Sequence, residues 1–548
     1  MSVDVLVIGG GVTGTGVALD AAARGLDVLV VEARDLAAGT SSRSSKLIHG
    51  GLRYLEQFNF GLVREALTER GRLVETLCPH LVQPLPFLYP LTHRGWERPY
   101  VAAGISIYDG LAKLGGDKLP RQKHFTRTGA LEKFPGLNPG ALVGAVQYWD
   151  AQVDDARHTM MLMRTAASFG ASLLTNAEVV SFTGAGGGRV TGAVVHDRET
   201  ARQSTVNAGV VVNATGVWAE KTEQLAGRPG LSMRASKGVH LVVPRDRIDG
   251  SSGIITKTSS SVLFIIPFGH NWLLGTTDTD WEQEPDHPVA NRDDVEYVLR
   301  QANDVLRRPL TADDVIGVFS GLRPLIAGNE ASTSELSREH AVVRPIRGLI
   351  SITGGKYTTY RVMAADAVDA AVGELGRAVP DSSTATLPLH GANGYVEATA
   401  NVAGLATQLR LSEIQIERLL KRYGGAITEI AQLITENPAW GNVIEGGAPY
   451  LDAEVVLAVR AEGARHIEDV LARRTRLSFD SADRGVAAAN RVAELMGEDL
   501  GWTSQRRELE VSTYRDRVKA ERAAEQMTSD DAAVRARLAA TDIRSAAF

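Results

Sequence analysis

VDVLVIGGGVTGTGVALDAAARGLDVLVVE, residues 3–32, decides the fold. Residues 3–8 form a run of β-branched and aliphatic side chains that reads as a buried strand. A glycine turn follows at 9–14, then a small-residue helix over 17–24 closed by Gly25, then a second apolar strand ending in Glu32. Two parallel strands joined by a helix predict an α/β sheet with a right-handed crossover. Within the turn, Gly9 permits the tight reversal, Gly11 lets backbone approach a pyrophosphate, and Gly14 allows helix and strand to pack closely. The helix N-terminus adds partial positive charge for phosphates, and Glu32 is placed to accept hydrogen bonds from a ribose diol. A glycine turn with no ligand would show the same bare spacing. The flanking strands and the acidic residue argue for a dinucleotide.

Composition narrows the classes around that unit. The 548 residues imply two or more domains, each able to bury a core. Lys and Arg total 59 against 65 Asp and Glu, so no basic field draws in nucleic acid. The single cysteine, Cys78, excludes an intrachain disulfide framework, an iron–sulfur cluster and a multi-cysteine zinc site, and no metal site is expected. A strand beginning at Val3 leaves no room for a leader, and no apolar run has the length of a membrane span. A cytoplasmic location is the expectation, compatible with peripheral attachment to the cytoplasmic face of a membrane.

Further along, residues 57–170 read as helical stretches, loops and a proline-rich segment at 79–90, with a helix over 157–169 leading into a strand at 171–175. The glycines at 186–188 mark a hairpin or turn. A buried strand at 208–216 ends in Ala214-Thr215-Gly216, and residues 239–280 alternate apolar runs with turns, as an antiparallel sheet does. Residues 348–368 repeat strand, glycine turn (Gly354, Gly355), helix. From about 388 the apolar spacing of three and four predicts helices only, with a charged helical or partly disordered tail over 516–548.

An NAD enzyme needs only the first unit and a substrate domain. The two distant glycine turns instead suit a longer cofactor, FAD, whose ring lies far from its adenosine. The turn at Gly354, Gly355 and Lys356 opens a helix, so its N–H groups and the lysine suit the negative charge of a reduced flavin. A second helix cap with a surface lysine would look the same.

Longer motifs carry a family resemblance. TSSRSSKLIHGGLRYL (40–55), WDAQVDDAR (149–157), NATGVW (213–218), SKGVHLVVP (236–244), GTTDT (275–279), SGLRPL (320–325) and GGKYTTYR (354–361) resemble, in order, the FAD-dependent glycerol-3-phosphate dehydrogenases. AEVVLAVRAEGARHIEDVLARRTRL (453–477) resembles that family's helical cap domain. Amino-acid and sarcosine oxidases are wider relatives. The resemblance implies a Rossmann-like α/β FAD-binding domain of the glutathione-reductase/D-amino-acid-oxidase type. An antiparallel β-sheet substrate domain would be interleaved with it over 1–387, and an all-α C-terminal domain would cover 388–515. It also implies oxidation of sn-glycerol 3-phosphate to dihydroxyacetone phosphate, with hydride passing to FAD and electrons to a membrane quinone. The bacterial form is the match, since no calcium loop of the D-x-[DN]-x-[DN]-G type is present.

A phosphate dianion beside a secondary alcohol needs cations and a proton acceptor. Arg53, Arg323 and Lys356 supply the cations, and Tyr54 a hydroxyl. His49 is the expected base, with His240 the competitor. Asp278, Arg338 and Arg361 also fall in family-like segments, where structural ion pairs explain them equally well. For FAD, bound non-covalently, Gly9, Gly11, Gly14, Glu32, Thr40, Ser41 and Ser42 would hold the ADP half, with Val179 near the adenine. Ser45, Lys46, Leu47, Ala214, Thr215, Gly216, Gly354, Gly355, Lys356, Tyr357 and Thr358 would surround the ribityl chain and ring. Residues 97–118, apolar and tyrosine-bearing between basic ends, suit an interfacial helix as well as a surface helix with a buried face. The resemblance leaves a homodimer open. Rival readings are a glycerol-phosphate oxidase passing electrons to oxygen, an amine or amino-acid oxidase, and a non-catalytic flavin-containing interaction protein.

Overall fold

In the computed structural model the described residues are 1–545, apart from 57, 229, 259–261 and 328–338 and the side chain of Arg53. The opening stretch forms β1 (Ser2–Ile8), α1 (Val12–Ala23) and β2 (Val28–Val31), with β1 and β2 parallel in the register Val5↔Val28. On its other side β1 pairs in parallel with the strand Gln203–Asn213, which pairs in parallel with Leu349–Gly354. Among the described residues this sheet has eight strands. Its three central strands therefore all end at one edge, where Gly9, Ala214 and Gly354 follow or close them. Crevices beyond the carboxyl ends of parallel strands are where such folds bind ligands. The α/β expectation holds, and α1 packs with the helices Asp155–Ser168 and Tyr360–Leu375 over one apolar face (Val17, Met160, Ala364).

A second sheet of ten strands, counted likewise, is mostly antiparallel. It contains the expected run over 239–280 and is wider than the sequence suggested. Gln83–Leu91, inside the proline-rich segment, is a full strand paired along its length with Gly144–Gln152. On the other side it pairs with Gly253–Lys257 only at Phe87 and Leu88. Pro84 and Pro86 thus lie where that second neighbour is absent and an N–H is not needed.

From Tyr395 onward the chain is helical, around a core that includes Ile416, Leu419, Ile430, Val456 and Leu471. The span 516–548, expected as a charged helical or partly disordered tail, is helical where described. Ser504–Ala524 runs through position 516, and Asp530–Leu538 follows. Ala533 packs with Trp281, Val289 and Leu322 of the sheet domain, and Arg544 is buried against Asp469 (2.6 Å). The helical alternative is the one seen, and several of the tail's arginines, among them Arg537 and Arg544, are buried while Arg535 stays exposed.

Buried ions also join the helical domain to the rest. Arg157 meets Glu462 (2.8 Å), and Arg473 and Arg474 both clasp Asp35 (2.5 Å each) in the loop just beyond Glu32. Among the described residues no helix is long and apolar enough to cross a membrane.

Candidate active site

A cleft of about 1330 Å³ runs along the carboxyl edge of the parallel strands and onto the second sheet. It is larger than an ordinary small-ligand pocket, as a dinucleotide with a substrate beside it requires.

The glycine turn forms one end. Gly9 has φ +109°, and a Cβ there would stand 2.7 Å from the carbonyl oxygen of Ala214. A Cβ on Gly14 would lie 1.9 Å from Gly9 O, so α1 could not seat against β1. Gly11 is the N-cap of α1, with no side-chain cap, and Val12 N–H donates to Ser41 Oγ (2.9 Å). Glu32 accepts from Gly10 N–H (2.7 Å) and Arg34 N–H (2.8 Å); burial, only partly countered by these bonds, pushes its carboxyl up. Backbone brought this close, with a half-buried acid beyond it, fits the ADP half of FAD.

At the other end the two remaining turns converge. Gly216, Gly354 and Gly355 all have positive φ (+61°, +76° and +69°). His49 is held by its backbone: its N–H donates to Thr358 Oγ1 (3.1 Å), whose hydroxyl lies 3.2 Å from His49 O. The next residue, Gly50, donates to Tyr108 OH (2.8 Å), and Tyr108 donates to Asp150 (2.6 Å). The imidazole of His49 meets Phe264 edge-on at 6.4 Å. Lys356 Nζ sits 3.7 Å from the ring centre of Tyr54, a cation–π contact at the same wall. Arg323 comes from the strand Gly317–Ile326, in register with Ser236. Its guanidinium is fixed by Asp278 (3.2 Å), Thr276 Oγ1 (3.2 Å) and Thr277 O (3.2 Å).

The cleft is lined by His49, Tyr54, His240, Asp278, Arg323 and Lys356. It is also lined by Gly9, Gly11, Glu32, Thr40, Ser41, Ser45, Leu47, Val179, Ala214, Thr215, Gly216, Gly354, Gly355, Tyr357 and Thr358. Gly14, Ser42 and Lys46 are not among the lining residues. Gly14 acts through packing. Lys46, expected beside the ring, turns inward: its ammonium pairs with Asp155 (2.6 Å) and donates to Ser42 O (2.6 Å). Asp155, nearby in space but distant in sequence, made that turn invisible beforehand. Arg53's side chain and Arg338 lie outside the described residues. Arg361 pairs with Glu69 (2.6 Å), the structural alternative.

The two histidines differ. His240 is buried, stacked on Phe319 (4.8 Å, 9°), and its Nε2 lies 2.9 Å from Ser45 Oγ. Burial, then the charges of Arg323 and Lys46, lower its pKa to about 3, which makes it a poor proton acceptor near neutrality. Cys78 is in the hydrophobic core, its thiol pushed up by burial, and does not line the cleft. The sequence reading missed Phe264, Thr276, Trp218, Asp286 and Arg34, all on the cleft, and the C-terminal Val534, Leu538 and Asp542. Thr276 and Trp218 lay within quoted motifs. The tail residues carried no motif at all.

The FAD dependent oxidoreductase family model matches residues 4–361, and that of the C-terminal domain of alpha-glycerophosphate oxidase matches 382–507. The chain is 51% identical over 544 residues to a glycerol-3-phosphate dehydrogenase of Mycobacterium leprae, covering 99% of this chain and 92% of that one. It is 35% identical to the human mitochondrial glycerol-3-phosphate dehydrogenase, covering 93% and 72%. The structure of the glycerol-3-phosphate dehydrogenase from Bacillus halodurans complexed with FAD superposes with a TM-score of 0.77 at 30% identity, over 94% of this chain and 95% of that one.

Proposed function

Since the chain belongs to the FAD-dependent glycerol-3-phosphate dehydrogenases, we propose that it oxidises sn-glycerol 3-phosphate at C2 to dihydroxyacetone phosphate and delivers the electrons to a membrane quinone. The observation that carries this reading is the meeting, on one cleft, of a dinucleotide cradle with His49, Arg323 and Lys356. FAD, when bound, supplies a two-electron acceptor for the hydride leaving C2.

The chain's own residues do the rest. Arg323, held rigid by Asp278 and Thr276, presents a planar fork suited to phosphate, while Lys356 adds a point charge from the opposite segment. Arg53 is the third proposed cation. His49 takes the hydroxyl proton as the C2 hydride departs, so substrate loses one proton and one hydride and becomes the ketone. Thr358 and Tyr108 fix the histidine's backbone on both sides and set its reach.

Quinone delivery calls for contact with a bilayer surface. The helix Glu97–Leu114, with the residue before it, offers one: Trp96 is 61% exposed, Tyr100 55% and Leu114 75%, beside exposed Lys113 and Lys118. Aromatic and apolar side chains with lysines at one end suit a headgroup boundary.

A stopped-flow experiment tests the function. Mixed anaerobically with glycerol 3-phosphate, the yellow protein bleaches; a ubiquinone or menaquinone analogue then restores the colour quickly and oxygen slowly. Rapid recovery in oxygen with peroxide would make the protein an oxidase. Absence of bleaching would leave a non-catalytic flavin or an amine substrate.

A further inference from the structure

The C-terminal tail reaches the cofactor cleft. Val534 and Leu538, on the helix Asp530–Leu538, line it, as do Asp542 and Ser545 beyond. They meet the Glu32 end. Arg34, two residues past Glu32, donates to Asp542 (3.1 Å) and to the carbonyl of Asp286 (2.9 Å). Asp286 accepts from the indole of Trp218 (3.1 Å), another cleft residue. Arg544 donates to Asn176 (2.9 Å), at the start of the segment that carries Val179. Lys237 anchors the helix start through Asp530. Leu538 is 57% exposed although it lines the cleft, an apolar side chain turned toward a space that a planar heterocycle would cover.

We infer that residues 530–545 belong to the cofactor site: Val534 and Leu538 form an apolar wall against the adenosine end of FAD, and Asp542 holds Arg34 beside it. The inference rests on Glu32 marking that end. Residues 530–545 lie beyond both family matches, the second of which ends at 507. The wall makes the tail a retaining element: FAD cannot dissociate from this end without the tail yielding.

The test measures cofactor release. Purified holoenzyme is diluted, and the rise of free-flavin fluorescence is followed for the wild type, Leu538→Asp, Leu538→Met, Asp542→Asn and a chain ending at Ser529. Leu538→Asp, Asp542→Asn and the short chain are expected to release FAD at least tenfold faster, with Leu538→Met close to wild type. The exposed side chain of Leu538 makes its replacement safe for folding, which the melting temperature of the apoprotein checks. Unchanged release in Leu538→Asp overturns the inference. Glu32→Gln is the reference: if it speeds release and the tail variants do not, only the wall is refuted; if it too has no effect, the placement of the adenosine end falls with it.

Discussion

At the residue scale burial distinguishes the two histidines of the cleft, of which the sequence favoured His49 as the base over His240. Both sit next to glycines or β-branched residues, and both line the cleft. Burial is a property of the folded chain: His240 is enclosed by Phe319, Ser45 and two cationic neighbours. His49 is the proposed base, and His49→Asn is expected to lower kcat by roughly 10²–10⁴-fold, the usual worth of a positioned proton acceptor. Binding of substrate and the flavin spectrum should hardly change. A kcat within a factor of three of wild type, with flavin bleaching by substrate at its normal rate, would remove His49 from that role. Lys46 teaches the complementary lesson: a lysine inside a family-like motif serves as the partner of buried Asp155.

Elements explain why the cofactor fingerprint was legible while the strand at Gln83–Leu91 was not. Gly14 is dictated by a local contact, since a Cβ there would collide with the backbone of Gly9 five residues earlier, and its spacing from Gly9 and Gly11 can be read within one short stretch. Gly14→Ala is therefore expected to push α1 away from β1, at about 1–3 kcal/mol for overpacking, and to yield protein with little bound flavin. The ratio of flavin to protein absorbance after purification checks it; full occupancy would show that the helix can shift without harm. The proline-bearing strand, in contrast, is permitted by which neighbour is missing beside Pro84 and Pro86, a fact about distant segments that no local pattern encodes. The same holds for the tail. Its composition left a charged helix and partial disorder both open, because its docking depends on partners such as Lys237, Asn176 and Trp281 hundreds of residues earlier.

Across the whole molecule, buried charge ties the helical domain to the cofactor domain. His466 is fully enclosed between Glu199 (2.7 Å) and Glu510 (2.9 Å), with Arg506 also reaching Glu510 (2.8 Å). Burial opposes its charge, but hydrogen bonds to both glutamates outweigh that and raise its pKa to about 9. An unfolded histidine titrates near 6.5, so this clamp is at full strength below that pH and is lost as pH climbs through about 9. The shift corresponds to roughly 3 kcal/mol. Melting temperature is accordingly expected to fall between pH 7 and 10, and His466→Gln to flatten much of that fall while lowering stability at pH 7. A mutant profile parallel to that of the wild type would show that other groups carry the dependence.

The order of the parallel strands has a consequence during synthesis. β1 acquires β2 almost at once, yet its other neighbour, Gln203–Asn213, is some 170 residues further along. At roughly 5–20 residues per second a ribosome needs about 10–40 s to bridge that gap. Throughout it the VDVLVI edge stays open to other chains, a template for wrong pairing. The segment that decides the fold is thus also the one its nascent form most needs shielded.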